Sequence, residues 1–232
     1  MKSFRQEITE QIERIPKGRI FTAKDLTFDV LKTANVNVLL AELVKKGRIK
    51  RIEKGIYYIP KESKLGLGTL PLSQNEIVRY LTRKYGGYLS GYCVYNMMGL
   101  TEQVPAVLTI ATPNPVRPFR FDNLRFNCIK AHRGSFEPHE TKYLMVLDAI
   151  NDMEHIPGKT GDKVYQKLKI LFFNEYTKSD VKQITKFVVS YPPKVKMMTA
   201  ALLRETGWEQ SSESIRKTIN PITLNKYNYG IT

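Results

Sequence analysis

The chain has 232 residues, 42% hydrophobic and 25% charged, which is the balance of a folded globular protein and enough length for a small module plus a second domain. Its 37 Lys and Arg outnumber 22 Asp and Glu, giving a net charge of +15 and a pI near 9.7, so a polyanionic partner is favoured. No apolar run approaches the ~18 residues that span a bilayer, and MKSFRQEITEQIERI lacks the apolar core of a secretory signal, so the expectation is a cytoplasmic protein with no membrane partner.

The positive charge is uneven. Residues 1–60 carry 13 Lys and Arg against 7 Asp and Glu, residues 61–136 carry 10 against 4, and residues 137–232 carry 14 against 11. In the first segment, Phe4, Ile8, Ile12 and Ile15 recur at helical spacing, and Pro16 and Gly18 stop the helix they predict. Thr22-Ala23-Lys24-Asp25 reads as an N-cap opening a short second helix through Leu26. Val36, Leu39, Leu40, Leu43 and Val44 then form one buried stripe of a third helix over residues 34–46, which Gly47 ends. Isoleucines and tyrosines from Ile49 to Ile59 predict two short strands joined at Glu53-Lys54-Gly55, with Pro60 closing the second.

Three short helices followed by a basic hairpin predict a winged helix-turn-helix over residues 1–60. The outer face of its third helix carries Ala34, Val38, Ala41 and Lys45, flanked by Thr33, Asn35, Asn37 and Glu42. Small residues admit the helix to a major groove, asparagine pairs bidentately with adenine, and Val or Ala can touch a thymine methyl. Between Lys45 and Lys54, six of ten residues are basic: Lys45, Lys46, Arg48, Lys50, Arg51 and Lys54. Such cations belong beside the phosphates that flank the groove.

Residues 61–71, KESKLGLGTLP, have the composition of a linker. Ser73-Gln74-Asn75-Glu76 reads as a capping box opening a helix that Gly86-Gly87 ends, and a second helix is expected from Ser90 to Met98 with Gly99 as its stop. VPAVLTIAT is β-prone, and FRF and LRFNCIKA predict a hairpin turning at Asp122-Asn123. Beyond Pro138 the periodicity turns helical in four segments: TKYLMVLDAINDM, GDKVYQKLKILFFNEY, SDVKQITKFVVSY and KVKMMTAALLRETGW. The expected class is therefore α+β, with residues 72–232 forming an α+β domain whose C-terminal part is helical.

Motifs that carry chemistry are scarce. His132, His139, His155, Cys93 and Cys128 show no metal-ligand spacing, and two cysteines suit a reducing compartment as buried thiols. Gly158-Lys159-Thr160 resembles the end of a phosphate loop, but Met153 stands where the motif needs glycine. Ser90 lacks the two flanking glycines of a nucleophile elbow, since Tyr88 and Tyr92 occupy those places. Asp122 with Glu140-Thr141-Lys142 could imitate an acidic-x-lysine nuclease site, although Glu140 opens a helix, where a carboxylate complements the dipole. No cofactor or metal is expected, and the nuclease stands as the alternative to a non-catalytic protein. Lys159, Lys163 and Lys167 recur at four-residue spacing, as do Lys178, Lys182 and Lys186. Both trios are solvated helix faces or a second basic surface for a polyanion or an acidic partner.

FTAKDL, VNVLLAELVKKGRIKRIEKGIYYIP, GYLSGYCVYNMMGLTEQVPAVLTIATPN and LDAINDMEHIPG resemble the AbiEi antitoxins of bacterial type IV toxin–antitoxin systems over roughly residues 20–158. The resemblance implies a DNA-binding transcriptional autorepressor whose C-terminal domain counters a nucleotidyltransferase-like toxin. It carries the DNA-contacting role to Asn35, Asn37, Lys45, Arg48, Lys50, Arg51 and Lys54. It transfers no residue for the antitoxin role.

Overall fold

A computed structural model describes residues 2–66 and 68–220. The chain is α+β and divides into two compact units, Met1–Leu81 and Thr82–Thr232. Among the described residues, no helix is long and apolar enough to cross a membrane.

The first unit opens with helix α1 (Phe4–Glu13), capped by the Ser3 hydroxyl on the Gln6 amide, and continues into strand β1 (Ile20–Thr22). The segment after Thr22 departs from the sequence expectation. The Asp25 carboxylate accepts both the Thr22 amide (2.7 Å) and the Thr22 hydroxyl (2.9 Å). A single 3-10 turn, Ala23–Asp25, follows in place of a short α-helix, and the chain leaves it extended at Leu26. A second 3-10 turn, Val30–Lys32, leads into helix α2 (Thr33–Lys45), which ends as expected at Gly47 with φ +70°.

Strands β2 (Lys50–Glu53) and β3 (Ile56–Tyr58) form the expected hairpin, and Gly55 supplies its left-handed turn at φ +76°. The first strand was not legible as one: β1 pairs with β3, so the sheet runs β1-β3-β2, all antiparallel. Ile8 and Ile12 of α1 pack with Phe21, Val36, Leu39, Leu40, Leu43, Ile49 and Tyr57 in one core. Val44, expected in that stripe, is half-buried at its edge.

The expected linker at 61–71 has structure of its own. Strands β4 (Lys61–Glu62) and β5 (Thr69–Leu70) pair antiparallel. Helix α3 (Gln74–Tyr85) follows, with Ser73 capping the Glu76 amide at 3.2 Å. The other half of the expected capping box is absent. The Glu76 carboxylate instead accepts the Ile20 amide at the start of β1 (2.8 Å) and pairs with Arg79 at 2.7 Å. That bond ties the beginning of α3 to the first sheet, and the first compact unit extends to Leu81.

The second unit contains a four-stranded sheet, β6 (Tyr88–Ser90), β7 (Val107–Thr112), β8 (Phe119–Phe121) and β9 (Leu124–Lys130), in the order β6-β7-β9-β8. The β7–β9 pairing is parallel and the other two are antiparallel. Helix α4 (Tyr92–Met97) is shorter than expected, because Tyr88–Ser90 is drawn into the sheet beside β7. Helices α5 (Thr141–Asp152), α6 (Gly161–Glu175), α7 (Lys178–Phe187) and α8 (Pro193–Glu205) realise the four periodic segments. A further helix, α9 (Glu209–Arg216), packs on α8, and the buried Ser212 hydroxyl donates to the Ala200 carbonyl at 2.7 Å.

Candidate nucleic-acid interface

Helix α2 buries Val36, Leu39, Leu40 and Leu43. At 100° per residue the opposite face is centred on Ala34, Val38, Ala41 and Lys45, with Thr33 and Asn37 on one flank and Asn35, Glu42 and Lys46 on the other. Thr33, Ala34, Asn35, Asn37, Val38, Ala41, Lys45 and Lys46 are all exposed. Val38, at the centre of that small-residue face, is 58% exposed. Immediately before it, Val30 and Leu31 are 81% and 91% exposed on the 3-10 turn, an apolar pair that sequence periodicity did not single out.

The cations divide by what they already hold. Among the described residues, Lys45, Lys46, Lys50 and Lys54 make no side-chain hydrogen bond or ion pair, and all four are exposed. Arg51 donates weakly to the Glu53 carbonyl at 3.3 Å. Arg48 is paired with Glu13 of α1, and Arg5 with Glu42 on the flank of α2. Both pairs are solvent-exposed, and such pairs are worth roughly 0–1 kcal/mol, too little to keep a guanidinium from a phosphate. The Arg5 hydrogen bond holds the Glu42 carboxyl below its ordinary pKa, so Glu42 remains an anion beside the helix face.

A groove of about 540 Å³ lies at the end of the first sheet away from the Lys54-Gly55 turn. Lys17, Arg19, Lys61, Arg79 and Tyr58 line it around Glu76.

Of the two lysine trios, the first departs from its expected geometry and the second keeps it. Lys159 precedes α6 instead of sharing its face, and it is half-buried 3.5 Å from Glu102. Lys167 donates to the Gly99 carbonyl, and lost hydration and the neighbouring Lys159 lower its pKa. Lys163 alone of that trio is free among the described residues. Lys178, Lys182 and Lys186 do share α7 and are exposed, with Lys186 3.9 Å from Glu140.

The second unit also buries a polar cluster that sequence reasoning missed. Asp148 of α5 accepts hydroxyl hydrogen bonds from Ser90 (2.6 Å), Tyr191 (2.7 Å) and Tyr88 (2.9 Å). Burial pushes its carboxyl above the ordinary range, and the three hydroxyl donors oppose that rise. The signal was an aspartate inside the apolar run YLMVLDAI, which must find partners if the helix is buried on that side. Glu140, the centre of the nuclease alternative, accepts the Glu137 amide at 2.8 Å just before α5. Among the described residues, no three His, Cys, Asp or Glu side chains converge to hold a metal ion.

Residues 7–120 match a family profile described as a family of unknown function, DUF6088. No curated protein matches the chain. Among solved structures it is similar to the crystal structure of RV2827C protein from Mycobacterium tuberculosis, at 12% identity and a TM-score of 0.48, over 92% of this chain and 80% of that one.

Proposed function

We propose that this protein is a duplex-DNA-binding transcriptional regulator that reads its operator through the first unit, used as a winged helix-turn-helix. The observation that carries the reading is the exposed face of α2, where Ala34, Asn35, Asn37, Val38 and Ala41 stand open beside the unpaired cations Lys45, Lys46, Lys50 and Lys54. Small residues bring the helix axis close to the groove floor, the asparagines read base edges, and the lysines neutralise flanking phosphates. The 3-10 turn at Ala23–Asp25 stands where the second helix of the motif belongs, and the β2–β3 hairpin serves as the wing.

Resemblance to the AbiEi antitoxins extends the proposal. The chain represses its own reading frame in the cytoplasm, and its second unit counters a nucleotidyltransferase-like toxin without catalysis of its own. The test of the DNA reading is binding to the DNA upstream of its own reading frame. Affinity should fall steeply between about 50 and 200 mM salt, and Lys50→Ala with Arg51→Ala should flatten the dependence by roughly one unit of slope for each phosphate the wing no longer neutralises. An unchanged slope in that variant removes the wing from the interface. The antitoxin extension is checked by co-expression: a growth arrest caused by the product of the adjacent reading frame should be relieved by this chain.

A further inference from the structure

Strands β8 and β9 place Arg120 directly opposite Arg125 in the antiparallel register, with Val107 of β7 next in the same row. Both arginines are exposed, and among the described residues neither makes a hydrogen bond, an ion pair or a ring contact. Like charges facing each other across a strand pair are destabilising. The register cannot slip to separate them, because the opposite face is packed: Phe119 stacks on Phe126 at 5.4 Å, and Phe121 and Phe126 are buried. Asp122, the acidic residue in the intervening turn, pairs with neither guanidinium. Beside them on the same face, the half-buried Thr109 and Asn127 and the exposed Ile129 carry no charge, and the face then passes into buried Ala111, Tyr88 and Ser90.

From this arrangement we infer that the outer face of β8–β9 is a second phosphate-contacting site for duplex DNA, borne by the second unit. Two guanidiniums at directly opposed positions of adjacent strands each carry a fork of N–H donors that can hold phosphate oxygens bidentately. A polyanion removes the repulsion that otherwise falls on solvent to screen. Single-stranded nucleic acid is held largely by bases stacking on aromatic side chains, and this face presents none. The site therefore grips the backbone of a duplex and tracks charge, not sequence.

The test uses the full chain and a labelled duplex of about 30 base pairs, titrated between about 50 and 200 mM salt, with a single strand of the same sequence alongside. Arg120→Gln with Arg125→Gln should reduce the salt slope by about 2 and weaken duplex binding on the order of tenfold at low salt. Its melting temperature should equal or exceed that of the unaltered chain, since a like-charge repulsion is removed. Arg120→Lys with Arg125→Lys should retain the slope. Lys64→Gln with Lys217→Gln, which removes equal charge elsewhere, should leave the slope in place. The inference is overturned by an unchanged slope in the glutamine pair, by equal flattening in the Lys64/Lys217 variant, by a lowered melting temperature accompanying the weaker binding, or by tighter binding of the single strand. Lys50→Ala with Arg51→Ala, run in the same assay, separates this site from the winged-helix reading. Weaker binding in the wing variant alone sinks the β8–β9 site, and weaker binding in the glutamine pair alone sinks the wing.

Discussion

Two buried aspartates of the second unit respond to pH in opposite senses. Asp180 sits at the start of α7, where Lys142 (2.7 Å), the Thr177 hydroxyl and amide, and the Tyr143 hydroxyl (2.7 Å) hold its carboxyl far below the usual carboxylate range. A depressed folded-state pKa contributes stability that is present above the unfolded pKa of about 4 and is lost as pH falls towards the folded value. Asp180→Asn should therefore cost roughly 2–3 kcal/mol near neutrality and flatten the acid limb of the stability curve. Asp148 has the opposite sign, because burial raises its carboxyl. Its stabilising share is present below pH ~4 and is lost as pH rises through the folded value, so Asp148→Asn should flatten that decline. Chemical denaturation across the acidic range measures both, and matching pH profiles for the two variants would contradict the assignment. A third residue-scale expectation is steric. A Cβ on Gly87 would lie 2.5 Å from the Ala111 carbonyl oxygen of β7, so Gly87→Ala must shift backbone and should cost about 1–3 kcal/mol of unfolding free energy.

At the scale of elements, α2 and the hairpin 61–70 carry the clearest consequences. Asn35→Ala and Asn37→Ala alter exposed side chains, so each should change melting temperature little. If either asparagine reads an adenine, its removal costs about 1–3 kcal/mol of discrimination against other base pairs, read by competition between operator variants. Equal competition by all variants would remove the residue from base reading. The β4–β5 hairpin turns through Lys64 and Leu65, and Leu65 is 83% exposed. Limited trypsin digestion should therefore cut first after Lys64, ahead of any lysine within α2, α6 or α7.

For the molecule as a whole, the bond from the Ile20 amide to Glu76 sets where the first unit can be cut away. A fragment ending at residue 60 leaves that partly buried amide without its acceptor, a cost of about 1–3 kcal/mol. Residues 1–85 keep the bond and should melt higher and bind DNA better than residues 1–60, in paired melting and gel-shift measurements. With Mg²⁺, Mn²⁺ or Zn²⁺ added, the purified chain should cleave neither DNA nor RNA. Cleavage that disappeared in Glu140→Ala would replace the regulator with the nuclease alternative.

Periodicity by itself determined α1, α2, the β2–β3 and β8–β9 hairpins and the four long helices of the second unit, because each is dictated by forces between residues close in the chain: apolar spacing, a stop at glycine or proline, a turn at Lys54-Gly55 or Asp122-Asn123. It also indicated the exposed face of α2, since a buried stripe defines its own opposite. Tertiary structure alone decided the rest. Strands β1 and β6 have no hairpin partner next to them in the sequence and exist because the distant β3 and β7 offer them partners. Glu76 deserts its capping box for a backbone amide 56 residues away. Asp148 draws its three hydroxyls from β6 and from Tyr191, and Arg120 meets Arg125 only through a strand register that the phenylalanines on the other face impose. Local sequence carries the forces that act within a turn of helix or a hairpin. Pairing between distant segments depends on which surfaces the folded core brings together, and no single stretch of chain contains that information.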